Sequence, residues 1–540
     1  MIPLFWLVLT PIILSVPVIF LPQKMGRILA AMAQIGLGVL AVFAFLHVRD
    51  YGEQIQSIGG WPRPFGILLR AELFSIDLVV LTVLIFFCVM IYGMKDDYFD
   101  RTFVFLLLIL EGLIIGIFLS IDLFNIFVLV ELCTVVISIL IMYKRDGKSI
   151  YDGMIYFMTN ITAMSFFLFG IAFLYRSLGV VDLISLKILI AEQGSASKLI
   201  LPYAFLITAV CLKSAVMPLF SWLPKAHGTP GAPIIVSAVL SGLYVKCGIY
   251  LFYRIQDIFY PVIDTRLIFL IMGLATALIG IVLAVAQKDL KLILAYHTVS
   301  QIGLIMIGMN LSEAYSRYGA LYHIINHAFF KATLFLTAGI IIDRYKTRQT
   351  DRIRGVFREM PGVATATVLA VLGITGAPLF NGSISKYWIG HGVGSAWVEY
   401  ALLLINLGTI ISFVKYSDML WRKPDTNAPE YNKQVRKTLS PKTIVVMIMG
   451  VICLLGGIFS EAITRTIFNT NLPVELSGYI SKAGIYFMSL ITGIIIYYAI
   501  VKHRPYLHLL RRFELSFNGV CIAIGVFFAG ITIVLTIMYR

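Results

Sequence analysis

Charge is what this sequence has least of. Asp, Glu, Lys and Arg make up 13% of its 540 residues, against about 25% in soluble domains. With 59% hydrophobic residues and a mean hydropathy of +0.92, that scarcity excludes a soluble globular protein. Cysteine is also sparse. Cys88, Cys133, Cys211, Cys247, Cys453 and Cys521 stand alone, with no C-x-x-C, which excludes a sequence-encoded iron–sulfur or structural zinc site. No polar stretch is long enough for a flavin or nucleotide domain, and no G-x-S-x-G elbow marks a nucleophile. No cofactor and no catalytic site are therefore expected in this chain, and any redox chemistry belongs to a partner.

The net charge of +15 invites a nucleic-acid reading, but no basic face with interleaved aromatics exists. The basic residues sit in short loops such as "RYKTRQTDRIRGVFRE" (344–359) and "WRKPDTNAPEYNKQVRKTLSPK" (421–442). The positive-inside rule places those loops in the cytoplasm and both termini on the outer side of a cell membrane. The opening "MIPLFWLVLTPIILSVPVIFLP" lacks a basic n-region and a small-residue cleavage site, so it is expected to remain as a first helix.

What is abundant is long apolar sequence. About 16 stretches of spanning length, from 3–22 to 515–538, predict an all-α polytopic membrane protein. Two stretches are interrupted. The seventh reads "LITAVCLKSAVMPLFSWLPKAHGTPGAP" and the twelfth "LAVLGITGAPLFNGSISKYWIG". Proline removes a backbone donor and breaks the helical ladder. Both breaks carry "PLF" and a nearby lysine, the pattern of paired discontinuous helices in duplicated transporters.

The spans nevertheless hold ionisable groups, which are costly in lipid and by default functional. Glu131 is mid-span in the fifth stretch, Lys213 in the first half of the broken seventh, and Lys246 in the eighth. His323, His327 and Lys331 in "HIINHAFFKATLF" form one stripe at i, i+4, i+8 spacing. Lys386 follows the second break. Glu111, Asp122 and His297 are secondary candidates, and Asp77 lies near a span start. Asp122 and Glu131 point to opposite helix faces and make no carboxylate pair. Lys415, and Lys246 with it, admit a simpler reading in which the stem snorkels to the interface. Histidines at i and i+4 resemble a zincin pair, but Ile324 stands where glutamate is required, so no metal is expected. A buried lysine loads and releases a proton as a carboxylate approaches and recedes, and histidine passes protons near neutrality. Proton transfer fits this set better than Na⁺ coordination, for which only Asp122, Asn125 and Glu131 would offer oxygens.

"DLFNIFVLVEL", "LKSAVMPLFSWLPKAHGTPGAPIIVSAVLSGLYVKCGIY", "QKDLKLILAYHTVSQIGLIMIG" and "HIINHAFFKATLFLTAGII" together resemble the antiporter-like subunits of respiratory complex I, Mrp-type cation/proton antiporters and membrane-bound hydrogenases, the D-type subunit of the Mrp antiporters above all. The resemblance, over roughly residues 70–420, implies about 14 core helices, with two inverted five-helix repeats and broken helices 7 and 12. Two C-terminal helices extend beyond that core, available to dock a neighbour. The implied divisions are 1–101 (helices 1–3), 102–253 (first repeat), 254–420 (second repeat) and 421–540. It also implies that Glu131 partners Lys213, that Lys246 and the 323–331 stripe relay protons, and that Lys386 ends the path. The partners implied are other membrane subunits of one complex, the bilayer, H⁺ and, for an antiporter, Na⁺. Rival readings are a proton-pumping subunit of a complex I-like oxidoreductase, hydrogenase or formate hydrogenlyase, a stand-alone solute transporter, and a non-conducting structural subunit. The "HRPYLHLLRRFEL" stretch (503–515) is read as an amphipathic interfacial piece.

Overall fold

Hydropathy decides the elements. The computed structural model describes residues 3–61, 66–391, 393–423, 440–503, 507–511 and 513–540. Among these, thirteen helices are long and apolar enough to cross a membrane, and three shorter apolar ones join them. Most of the 421–442 loop and part of the 503–515 stretch lie outside the described residues. The chain forms two compact units, Met1–Val236 with Leu243–Thr265 and Leu515–Arg540, and Arg266–Glu514 with Ser237–Gly242.

The first unit begins with α1 (Phe5–Phe20) and α2 (Gln23–Tyr51). An antiparallel hairpin that hydropathy does not foretell follows, β1 (Gln54–Ser57) with β2 (Leu68–Ala71). Next come α3 (Leu73–Gly93), α4 (Arg101–Leu119), α5 (Leu123–Ile141), α6 (Gly147–Leu178) and the short α7 (Leu183–Gln193). The broken helix is α8 (Ile200–Lys213) and α9 (Trp222–Gly228). The chain then runs through α10 (Ile234–Val239), a π turn at Leu240–Tyr244, and α11 (Val245–Phe259). The second unit holds α12 (Arg266–Ala286), α13 (Leu290–Asn310), α14 (Ala314–Tyr345), the short α15 (Val356–Glu359), the broken pair α16 (Pro361–Thr375) and α17 (Asn381–His391), α18 (Ala396–Trp421), α19 (Pro441–Ile458), α20 (Ser460–Phe468), α21 (Leu476–Ala499) and α22 (Leu507–Arg511). The last helix, α23 (Phe517–Met538), belongs to the first unit.

Aspartates start many of these helices. Asp100, Asp122, Asp146, Asp182 and Asp289 each accept a backbone N–H of the first turn, a cap worth about 1 kcal/mol. Two of those caps expose a repeat. Leu123 N–H donates to the Val181 carbonyl at 3.0 Å and Leu183 N–H to the Ile121 carbonyl at 2.8 Å. At one constant offset in residue number, Leu290 N–H donates to Arg348 at 2.9 Å and Thr350 N–H to Lys288 at 3.0 Å. The helix enclosed in each case, α6 or α14, has 32 residues. One motif thus recurs in both units: an Asp-capped helix, a long helix tied back to that cap, then a broken helix.

The breaks form where the Pro-Leu-Phe segments lie. Ala215 (φ 54°) and Leu379 (φ 70°) adopt the left-handed region although neither is glycine, and Gly376 (φ 80°) adopts it freely. The last two long helices pack on the chain itself. Phe528 of α23 meets Phe205 at 4.4 Å and Phe166 at 5.3 Å between ring centroids. Along α18, α21 places Tyr497 and Tyr498 on Asp418, each at 3.3 Å.

Close helix approach is clearest between α12 and α13. A Cβ on Gly280 would lie 2.6 Å from the Ser300 nitrogen and 2.9 Å from the Tyr296 oxygen. Both are backbone atoms and cannot swing aside. Gly280→Val should therefore destabilise the second unit by about 1–3 kcal/mol, the usual overpacking cost, seen as a lower melting temperature of the detergent-extracted protein. An unchanged melting curve would show that the two backbones do not approach as described.

Candidate functional site: buried lysines and histidines at two helix breaks

In the first unit the site is built around the end of α8. Lys213 is its last residue, 4% exposed. Its ammonium donates to Thr134 Oγ1 at 2.7 Å and Tyr244 Oη at 3.2 Å. Thr134 lies on α5 one turn beyond Glu131, and Tyr244 closes the π turn, a distortion frequent at functional sites. Glu131 is half-buried and acts on Lys213 through space, while the direct hydrogen bonds go to the two hydroxyls. The Trp222 indole N–H donates to the Leu212 carbonyl at 2.7 Å and so satisfies the cut end of α8. Lys246 is 1% exposed on α11, two residues before Gly248, where a Cβ would lie 2.8 Å from the Lys213 carbonyl carbon. Only a glycine there lets α11 approach the break.

Two secondary candidates have other surroundings. Asp122 is the N-cap of α5, accepting from Asn125 N–H at 2.6 Å. Glu111 is fully buried in α4 and accepts a hydrogen bond from the Gln34 amide of α2. Asp77 is buried in the first turns of α3.

The second unit carries the histidine stripe. His323, His327 and Lys331 are all 0% exposed on α14, and the two imidazole rings lie 6.4 Å apart with planes 19° from parallel. His323 bonds Ser385 Oγ at 2.8 Å through Nδ1 and Gln301 Oε1 at 2.9 Å through Nε2. Lys331 donates to the Leu294 carbonyl, which also accepts from the Thr298 hydroxyl at 3.1 Å. Lys386, just past the second break, donates to the Ile374 carbonyl at 2.7 Å and Asn406 Oδ1 at 2.8 Å. His297 bonds Ser412 at 2.8 Å and stacks on Phe413. It interacts electrostatically with Lys331, Lys386 and Lys415.

Sequence reasoning missed several members. The Lys415 ammonium has partners of its own: it donates to the carbonyls of Ala284 and Val285 at 2.8 Å each, and to that of Gln287, at the end of α12. Lys246 stays inside the protein. Thr134, Tyr244 and Gln301 are uncharged and carry no signal that hydropathy or charge reading detects. Among the described residues, no group of three His, Cys, Asp or Glu side chains is placed to hold a metal.

Many apolar helices, two of them discontinuous, and buried lysines held by oxygen atoms define a polytopic membrane protein. Residues 120–412 match the family model "NADH:quinone oxidoreductase/Mrp antiporter, TM", and the chain belongs to that family. It is 27% identical to the D-type subunit of the Na(+)/H(+) antiporter of Alkalihalophilus pseudofirmus, over 80% of this chain and 89% of the relative. It is 28% identical to the N-type subunit of the NADH-quinone oxidoreductase of Desulforudis audaxviator, over 84% and 94%. Its fold is similar to a chain of the Mrp complex from Dietzia sp., with a TM-score of 0.77 and 21% identity, covering 94% of this chain and 99% of that one.

The Thr134 hydroxyl can be removed with little change of shape. A hydrogen bond to a charged group contributes about 1.5–3 kcal/mol, so Thr134→Val should slow proton transport by about tenfold or more at normal protein levels. Thr134→Ser, which keeps the acceptor, should transport nearly as wild type. Wild-type rates in the valine variant would mean that Lys213 does not work from this position.

Proposed function

We propose that this chain is a proton-translocating, antiporter-like subunit of a multisubunit membrane complex, working as the D-type subunit of a Mrp-type monovalent cation/proton antiporter. The observation that carries the reading is Lys213, held by two hydroxyls at a helix break within electrostatic reach of Glu131. Glu131 and Lys213 form the controlling pair. Lys246, His323, His327 and Lys331 relay protons toward Lys386, with His297 beside the path.

The first relative's name supports cation-driven exchange. The second relative's name supports a redox-driven pump, in which partner subunits supply the energy. In either case this chain contributes the proton route. The complex lies in the cell membrane, with the basic loops cytoplasmic and both termini outside, an orientation supported by the Lys and Arg distribution. A roomy solute pocket would favour a stand-alone transporter; the buried lysines and histidines within each unit support a proton route instead.

Proton uptake into inverted membrane vesicles tests this, with wild type, Lys213→Ala and Glu131→Ala compared at equal levels of assembled complex. Uptake should fall at least about a hundredfold in the lysine variant, the scale of losing a positioned proton-transfer group, and strongly in the glutamate variant. An imposed Na⁺ gradient and respiratory or hydrogenase substrates, applied separately, identify the driver. Uptake at wild-type rate in both variants would show that the buried charges are structural.

A further inference from the structure

The second unit contains a cavity of about 220 Å³ whose lining includes Lys386, Gln301 and Asn406 together with Glu399, Lys482 and Tyr486. Gln301 is 0% exposed, and its amide nitrogen has no hydrogen-bond partner although its oxygen bonds His323. Glu399 and Lys482 are exposed. One space is therefore shared by an exposed acid and base, by Lys386 and by Gln301, which bonds the stripe. Apolar side chains make up most of the rest of its lining, and it has room for several waters.

Lys482 and Tyr486 come from α21, a helix outside the core that the family resemblance implies. The same helix grips the break. The Tyr479 hydroxyl accepts the Leu379 N–H at 2.8 Å and bonds Ser383 Oγ at 3.1 Å. The Tyr486 hydroxyl bonds Thr375 Oγ1 at 3.1 Å. Thr375 ends α16, and Leu379 is the residue held at φ 70°. Such backbone conformations persist only where the surroundings enforce them. Two tyrosines of α21 thus brace both sides of the segment that Lys386 bonds across.

We propose that α21 is a working part of the proton route: Tyr479 and Tyr486 position the break beneath Lys386, and Lys482 with Glu399 forms the mouth through which that lysine exchanges protons with water. This rests on the proton-translocation reading above. Tyr479 and Tyr486 are positioning residues. Lys482 acts by its charge, since a cation at the mouth sets the local proton concentration and the ease of protonating Lys386 across the cavity.

The test measures proton uptake against pH in assembled complexes carrying Lys482→Met, Lys482→Arg, Tyr479→Phe or Lys213→Ala. Lys482→Met should lower uptake severalfold and displace the pH profile by about one unit, as loss of a nearby charge does. Lys482→Arg should keep the wild-type profile, and Tyr479→Phe should lower the rate. Should Lys482→Met fail to assemble, Lys482→Cys in a Cys521→Ser background replaces it, and an ammonium-bearing thiol reagent should return the profile while a sulfonate-bearing one should not. An unchanged rate and profile in Lys482→Met and Tyr479→Phe, with Lys213→Ala inactive, overturns the role of α21 and leaves the main reading standing. Equal losses in the methionine and arginine variants without a pH displacement reduce α21 to a structural brace and also overturn it. Lys213→Ala at wild-type rate overturns the main reading and this inference together.

Discussion

An ammonium group inside a helix bundle has lost its water, and it remains only where oxygen atoms replace that water; the desolvation otherwise costs several kcal/mol. Within an unbroken helix the backbone oxygens are already engaged, whereas the last turn leaves carbonyls without partners. The lysines of this protein follow that constraint. Lys386 takes the Ile374 carbonyl at the end of α16, and Lys415 takes carbonyls at the end of α12. Lys331 instead donates to the Leu294 carbonyl inside α13, which it shares with the Thr298 hydroxyl. The break between α16 and α17 thus supplies an acceptor that an unbroken helix would have engaged.

The first unit meets the same need differently. The indole of Trp222 occupies the Leu212 carbonyl at the cut end of α8, so Lys213 turns to Thr134 and Tyr244. The difference is chemical as well as geometric. A carbonyl only accepts and so favours the ammonium, whereas a hydroxyl accepts from the ammonium and donates to the neutral amine. A lysine held by two hydroxyls is satisfied in both protonation states. A direct ion pair with Glu131 would hold it charged. The hydroxyl cradle leaves Glu131 to bias the lysine through space without clamping it.

Legibility in the sequence follows the same division. Spans were legible because lipid-like composition is local and cumulative, and the sixteen apolar stretches have their counterparts in α1–α23. The breaks were legible because proline cannot continue a ladder, and the ionisable residues inside the spans because charge is rare in this chain. The hairpin β1–β2 was not legible, since its short strands have no hydropathy contrast with a loop. Nor were Thr134, Tyr244 and Gln301, whose contribution exists only once distant helices meet. The partners of Lys415 were not legible either, since its acceptors come from α12. The packing of α21 against α18 has the same character: Gly493 admits Ile410, and Asp418 receives two tyrosines, contacts that no local pattern announces.

Glu131 occupies a boundary. Its own side chain is half-buried, and on α5 it borders an exposed apolar stripe of Phe124, Val128, Leu132, Val135 and Ile139. Such a stripe suits lipid or a neighbouring subunit equally in apolar character, but only a protein neighbour brings charges with it. A cation brought against that face holds Glu131 ionised and draws its field away from Lys213. An anion does the reverse. The two groups differ in surroundings: Glu131 is half-buried beside the exposed stripe, and Lys213 is buried among hydroxyls.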